Sequence, residues 1–95
     1  MTSHPAADIR WSNEFLEREV IKIVSRITKI PTTRLLPDTD LKASLNVDSL
    51  QGLQIVAALE TQFDISLPDE ELDSYTSVRL IVETVKRLRP GAPVT

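Results

Sequence analysis

Apolar residues return at helical spacing in three separate stretches of this chain, and no stretch of useful length alternates apolar with polar side chains. A sheet is therefore excluded and helices must supply the core. In the first stretch Leu16, Val20, Ile23, Val24 and Ile27 fall at i, i+4, i+7, i+8 and i+11, one face of an α-helix. Ser12 or Asn13 can cap its start, Glu14 and Glu17 sit in the first turn where the helix dipole favours acids, and Pro31 is expected to stop it. In the second, Leu53, Val56, Leu59 and Phe63 keep the period, while Leu50, Ile55 and Ala57 widen the apolar surface. Asp48 reads as its N-cap, Ser49 as its first residue, Gln51 as the return partner of a capping box, and the helix should end near Gln62. The third runs through Val78, Ile81, Val82, Val85 and Leu88, capped by Thr76 or Ser77 and closed by Pro90-Gly91. After Pro68, residues 69–73 offer one helical turn at best.

The expected fold is all-α: a small four-helix bundle of three main helices plus one short helix, with a long loop between helices one and two. That loop, residues 31–47, should be pinned to the core by Leu35, Leu36, Leu41 and Leu45. Ninety-five residues make one domain, 1–95, with residues 1–12 and 90–95 as flexible tails and a monomer as the expected state. With 41% apolar and 26% charged residues, the composition is that of an ordinary globular domain that folds without staples.

Composition also removes most catalytic apparatus. There is no cysteine, which excludes disulfides, thiolate metal sites and a protein thiol nucleophile. The single histidine, His4, lies in a polar leader, so a histidine triad or multi-histidine metal site is not expected. Asp69 and Glu70 are paired carboxylates, but nothing sets them beside a nucleophile, and no enzymatic activity is expected. Neither Asp38-Thr-Asp40 nor 69–73 has the spacing of a calcium loop. No membrane span and no secretory leader are apparent, so a cytoplasmic location is the default expectation.

The net charge of −3 conceals segregation. Residues 36–75 carry nine acids against Lys42 alone, while both flanking segments are net basic. An acidic middle disfavours nucleic acid as a partner and favours basic protein surfaces.

Leu45-Asn-Val-Asp-Ser-Leu50 puts a serine hydroxyl at a helix start, where unpaired backbone N–H groups and the positive dipole end favour an anion. Taken alone, Asp48 and Ser49 are also simply good capping residues. Their context is more specific: a helix, a Leu- and Pro-bearing loop, Asp-Ser-Leu opening a helix, Ala-Leu-Glu60 before Phe63, Ile65-Ser-Leu-Pro-Asp-Glu70, then Thr76-Ser-Val78. From about residue 14 to 88 this order resembles the acyl carrier protein family. The resemblance implies a non-catalytic carrier whose Ser49 bears 4′-phosphopantetheine from coenzyme A, so that acyl intermediates are held as thioesters and delivered to partner enzymes.

Transferred residue by residue, the resemblance gives Asp48 a part in installing the group. Leu50, Leu53 and Ala57 become an apolar docking face, although the spacing of Leu53 fits the buried face equally well. Glu60 becomes an acidic docking position, extended by Asp69, Glu70 and Asp73. The implied partners are a phosphopantetheinyl transferase and acyl-transferring or condensing enzymes; nucleic acid is not among them. Asn46 replaces the usual glycine of the motif and tolerates a left-handed backbone. Gln51, Gln54, Thr61 and Gln62 make helix two more neutral than in general fatty-acid carriers, which points to a specialised fatty-acid, polyketide or related pathway. An acyl chain would find refuge among Val56, Leu59, Phe63, Ile65 and Ile81. The alternatives are a peptidyl or aminoacyl carrier and an unmodified helical adaptor for a basic partner.

Overall fold

The structure is a computed structural model of the chain that describes residues 11–68 and 75–88. It contains helix α1 (Asn13–Thr28), a 3₁₀ turn (Thr32–Arg34), helix α2 (Ser49–Phe63) and helix α3 (Val78–Leu88), with no strand among the described residues. The all-α expectation holds. The short helix expected over 69–73, the docking acids Asp69, Glu70 and Asp73, and residues 1–10 and 90–95 lie outside the described residues.

Helix α1 begins where the Ser12 Oγ accepts the Phe15 N–H at 3.2 Å. Trp11, expected in a loose leader, instead packs its ring 5.8 Å from that of Phe63. Residues 11 and 12 therefore belong to the folded unit. At the other end the helix stops before Pro31 is reached. Lys29 turns left-handed at φ 67°, and its N–H donates to the Ser25 carbonyl at 2.8 Å. Two hydroxyls explain the early stop: Ser25 Oγ donates to the Ile30 carbonyl at 2.6 Å, and Thr28 Oγ1 donates to the Val24 carbonyl at 2.7 Å while accepting the Ile30 N–H.

Leu16, Val20, Ile23 and Val24 of α1 are fully buried. Through them α1 packs against both α2 and α3, while direct contact between α2 and α3 is much sparser. Between the 3₁₀ turn and α2, Leu35, Leu41 and Val47 enter the core and Leu45 packs at its edge. Leu36 does not. It is 61% exposed, while its neighbour Leu35, at the end of the 3₁₀ turn, takes the buried position.

Polar groups tie this loop to the start of α3. The Leu41 N–H donates to the Thr76 carbonyl at 2.8 Å and the Arg79 N–H to the Pro37 carbonyl at 2.9 Å. The Arg79 guanidinium grips both carboxylate oxygens of Asp38. These hydrogen bonds hold the Asp38 carboxyl below the usual carboxylate range and raise Arg79 above its own. Asp40 is used locally: its Oδ1 accepts the N–H groups of Lys42 and Ala43, capping the turn that leads to α2. The two aspartates considered for a cation thus serve an arginine and a turn. Ser77 caps α3, its Oγ accepting the Leu80 N–H at 3.2 Å.

Candidate functional site

The approach to α2 is set by three consecutive local choices. Asn46 adopts φ 59°, the left-handed turn its side chain tolerates, and Val47 then drops into the core. Asp48 is extended, with Oδ1 accepting the Gln51 N–H at 2.8 Å while Gln51 Oε1 accepts the Asp48 N–H at 3.3 Å. The capping box expected from the sequence is thus complete. It satisfies the third amide of the helix and leaves those of Ser49 and Leu50 without an intrahelical carbonyl to reach. Ser49 stands exposed as the first residue of α2.

Beneath Ser49 lies a cavity of about 40 Å³ between α2, α3 and the loop that precedes α2. The exposed residues Lys42, Asp48 and Ser49 border it, and Leu41, Val47, Ile55, Val56, Leu59, Leu67 and Ile81 form its apolar wall with Tyr75, Thr76 and Thr84. Thr84 is buried but satisfied, its Oγ1 donating to the Leu80 carbonyl at 2.9 Å. Of the residues expected to receive an acyl chain, Val56, Leu59 and Ile81 line this space. Phe63 and Ile65 do not line it, and Phe63 packs on Trp11 instead.

Several lining residues escaped the sequence reading. Gly52 is the most informative: it sits one turn beyond Ser49 in the cavity wall, where a Cβ would take up space at the mouth. A glycine inside a helix costs about 1 kcal/mol against alanine, and that unexplained cost was the available signal. Leu41, Val47, Ile55, Leu67 and Thr84 carried no comparable signal.

The expected docking residues separate. Leu50 is 65% and Leu53 43% exposed, and Ala57 is exposed as well, so Leu53 faces solvent while Ile55 takes the buried position. Glu60 is half-buried, and its Oε2 accepts the Leu67 N–H at 2.8 Å, bracing the turn after α2 in which Asp64 is left-handed at φ 55°.

Comparison with known proteins fits this geometry. Residues 18–85 match the family described as "Phosphopantetheine attachment site". Mitochondrial acyl carrier protein 2 of Arabidopsis thaliana is 30% identical over 66 residues, 70% of this chain and 52% of its own length. A putative mitochondrial acyl carrier protein of Schizosaccharomyces pombe is 36% identical over 63 residues, 65% of this chain and 56% of its own. The chain thus spans about half the length of these relatives. The solution structure of the apo doublet acyl carrier protein from prodigiosin biosynthesis shares the fold. Its TM-score is 0.72 at 19% identity, over 86% of this chain and 44% of that one.

A match over most of the chain, on a helical fold with a serine opening α2, defines a carrier domain. This chain belongs to the phosphopantetheine-attachment family, the acyl carrier proteins, whose members bear 4′-phosphopantetheine and act as carriers rather than catalysts. The cytoplasmic expectation is overturned, since both relatives are mitochondrial proteins. The want of an apolar leader was too little to carry a location. Among the described residues no helix is long and apolar enough to cross a membrane.

Proposed function

We propose that Ser49 is the attachment serine, and that the protein holds acyl groups for partner enzymes of a specialised fatty-acid, polyketide or related pathway. The observation that carries this reading is the place of Ser49: exposed, first in α2, on the rim of an apolar cavity. The group when bound supplies a terminal thiol that forms thioesters, which a cysteine-free chain does not otherwise possess. The residues present fit it. The amides at the start of α2 favour a phosphodiester on Ser49. Gly52 leaves room for an arm to fold back toward the wall. Acyl rather than aminoacyl cargo is favoured by the acyl carrier relatives.

Forty cubic ångströms is too little for an acyl chain, given that an engineered cavity of about 150 Å³ holds a guest the size of benzene. Sequestration therefore requires α2 and α3 to part. Each methylene then buried contributes roughly 0.8 kcal/mol, which offsets the lost contacts once several are inside.

The test is incubation with coenzyme A and a broad-specificity phosphopantetheinyl transferase, followed by intact-mass measurement. One phosphopantetheine is expected per chain, and none on Ser49→Ala. A wild-type chain that stays unmodified beside a fully loaded control carrier overturns the reading and leaves the unmodified adaptor.

A further inference from the structure

We infer that the space beneath Ser49 is matched to an acyl chain that carries a hydroxyl group, and that Thr84 is the residue that reads it. The inference rests on the carrier reading of Ser49 and names the class of cargo. Among the described residues only two polar side chains are buried, Ser77 and Thr84. Ser77 has a structural task, capping α3 through the Leu80 N–H. Thr84 has none of that kind. Its hydroxyl donates to the Leu80 carbonyl at 2.9 Å, but inside an α-helix that carbonyl already accepts the N–H four residues on, so the backbone does not need the second donor. Valine has the same shape and would fill the wall without a hydroxyl to desolvate.

What Thr84 adds is an acceptor. A threonine hydroxyl has one proton and two lone pairs. With the proton on the Leu80 carbonyl the oxygen can only accept, and none of the described residues donates to it. It belongs to the cavity wall at 9% exposure, whereas Tyr75 and Thr76 are half-buried. Gln62 bonds Glu19 and Lys86 bonds Asn13, so α2 and α3 both run against α1 and start at one end of the bundle, the end of Ser49. Thr84 stands two turns beyond the Ser77 cap, about 10 Å down from that end. A chain that enters past Gly52 as α2 and α3 part runs by this oxygen among aliphatic neighbours. A methylene leaves the acceptor bare, and a keto oxygen meets it lone pair to lone pair. A hydroxyl donates to it and recovers the hydrogen bond that its own burial costs. The amide N–H groups of the pantetheine arm are donors of the same kind, and the test separates the two sources.

The full chain is loaded by the same transferase with octanoyl, 3-hydroxyoctanoyl, 7-hydroxyoctanoyl and the two matching oxo chains, each from its coenzyme A thioester. The ratio of chain inside to chain outside is read from the Leu59 and Ile81 methyl shifts, referred to the same protein with an unacylated arm. In wild type at least one hydroxylated chain is expected inside about threefold more than its oxo counterpart. Thr84→Val should lower the ratio for that chain about fivefold, the worth of one buried hydrogen bond, while the octanoyl and oxo ratios do not fall. Thr84→Ser keeps the oxygen and should hold the hydroxylated chain within about twofold of wild type, a readout that survives if the valine variant does not fold. Equal falls for octanoyl and hydroxylated chains would give the acceptor to the arm and overturn the cargo inference. Hydroxylated chains that match their oxo counterparts in wild type, that ignore Thr84→Val, or that move no methyl shift overturn it too. In each of these cases the carrier reading of Ser49 stands. No mass gain from any thioester overturns both.

Discussion

Helices α1 and α2 are of nearly equal length, 16 and 15 residues, yet they meet water in opposite ways. The outward side of α1 carries Glu14, Arg18, Lys22 and Arg26, all exposed, while its four buried aliphatics take the other side. The outward side of α2 carries leucine, alanine, glutamine and threonine, and no exposed charge. A helix whose sole task is to support a core does well to be charged outside, as α1 is. Leucines left in water on α2 gain little for folding.

The sharpest way to break this contrast is to truncate one leucine on each helix. Leu16→Ala, fully buried in the first turn of α1, should lower unfolding free energy by about 2–5 kcal/mol in urea titration. Leu53→Ala should cost less than about 1 kcal/mol. Comparable losses would mean that α2 is as much a core helix as α1.

A smaller effect of opposite sign belongs to Gly52. Replacement by alanine should raise the unfolding free energy from urea titration by up to about 1 kcal/mol, because alanine favours the helix. The same Cβ narrows the cavity mouth. In acylated protein the chain-length dependence of the Ile55, Leu59 and Ile81 methyl shifts should therefore weaken. A gain in stability with undiminished shifts would show that the arm does not pass Gly52.

The smallest effect concerns the loop that borders the cavity. Arg79 holds Asp38 below the usual carboxylate range, so the pair's contribution is complete above that range and is lost as pH falls through the lowered value. Arg79 itself, raised, stays charged throughout this window. Melting temperatures of wild type and Asp38→Asn should differ slightly near neutral pH and converge in acid. A gap that is constant with pH would assign the effect to packing.

What could be foreseen followed from how local each determinant is. The Asp48–Gln51 capping box and the left-handed Asn46 involve neighbours in the chain, and residue chemistry alone predicts them. The early end of α1 is local too, but it depends on the Ser25 and Thr28 hydroxyls, which are less conspicuous than Pro31. On α1 one stripe is apolar and the buried side is unambiguous. On α2 both sides are apolar, so periodicity had no means to place Ile55 inward and Leu53 outward. Leu36 raised the same difficulty beside Leu35. The hydrogen bond of Glu60 depends on a backbone amide seven residues away in a non-helical segment, which no spacing rule reports.

One feature of the packing bears on how such a fold could open. Because α1 grips both other helices while they barely hold each other, α1 acts as a spine and α2 and α3 as the covers of a book. Spreading the covers sacrifices few direct contacts between the two helices, and the hydrogen bonds from the loop before α2 to Thr76 and Arg79 act as the hinge ties that limit it. Room for a guest can thus be made by bending rather than by unfolding.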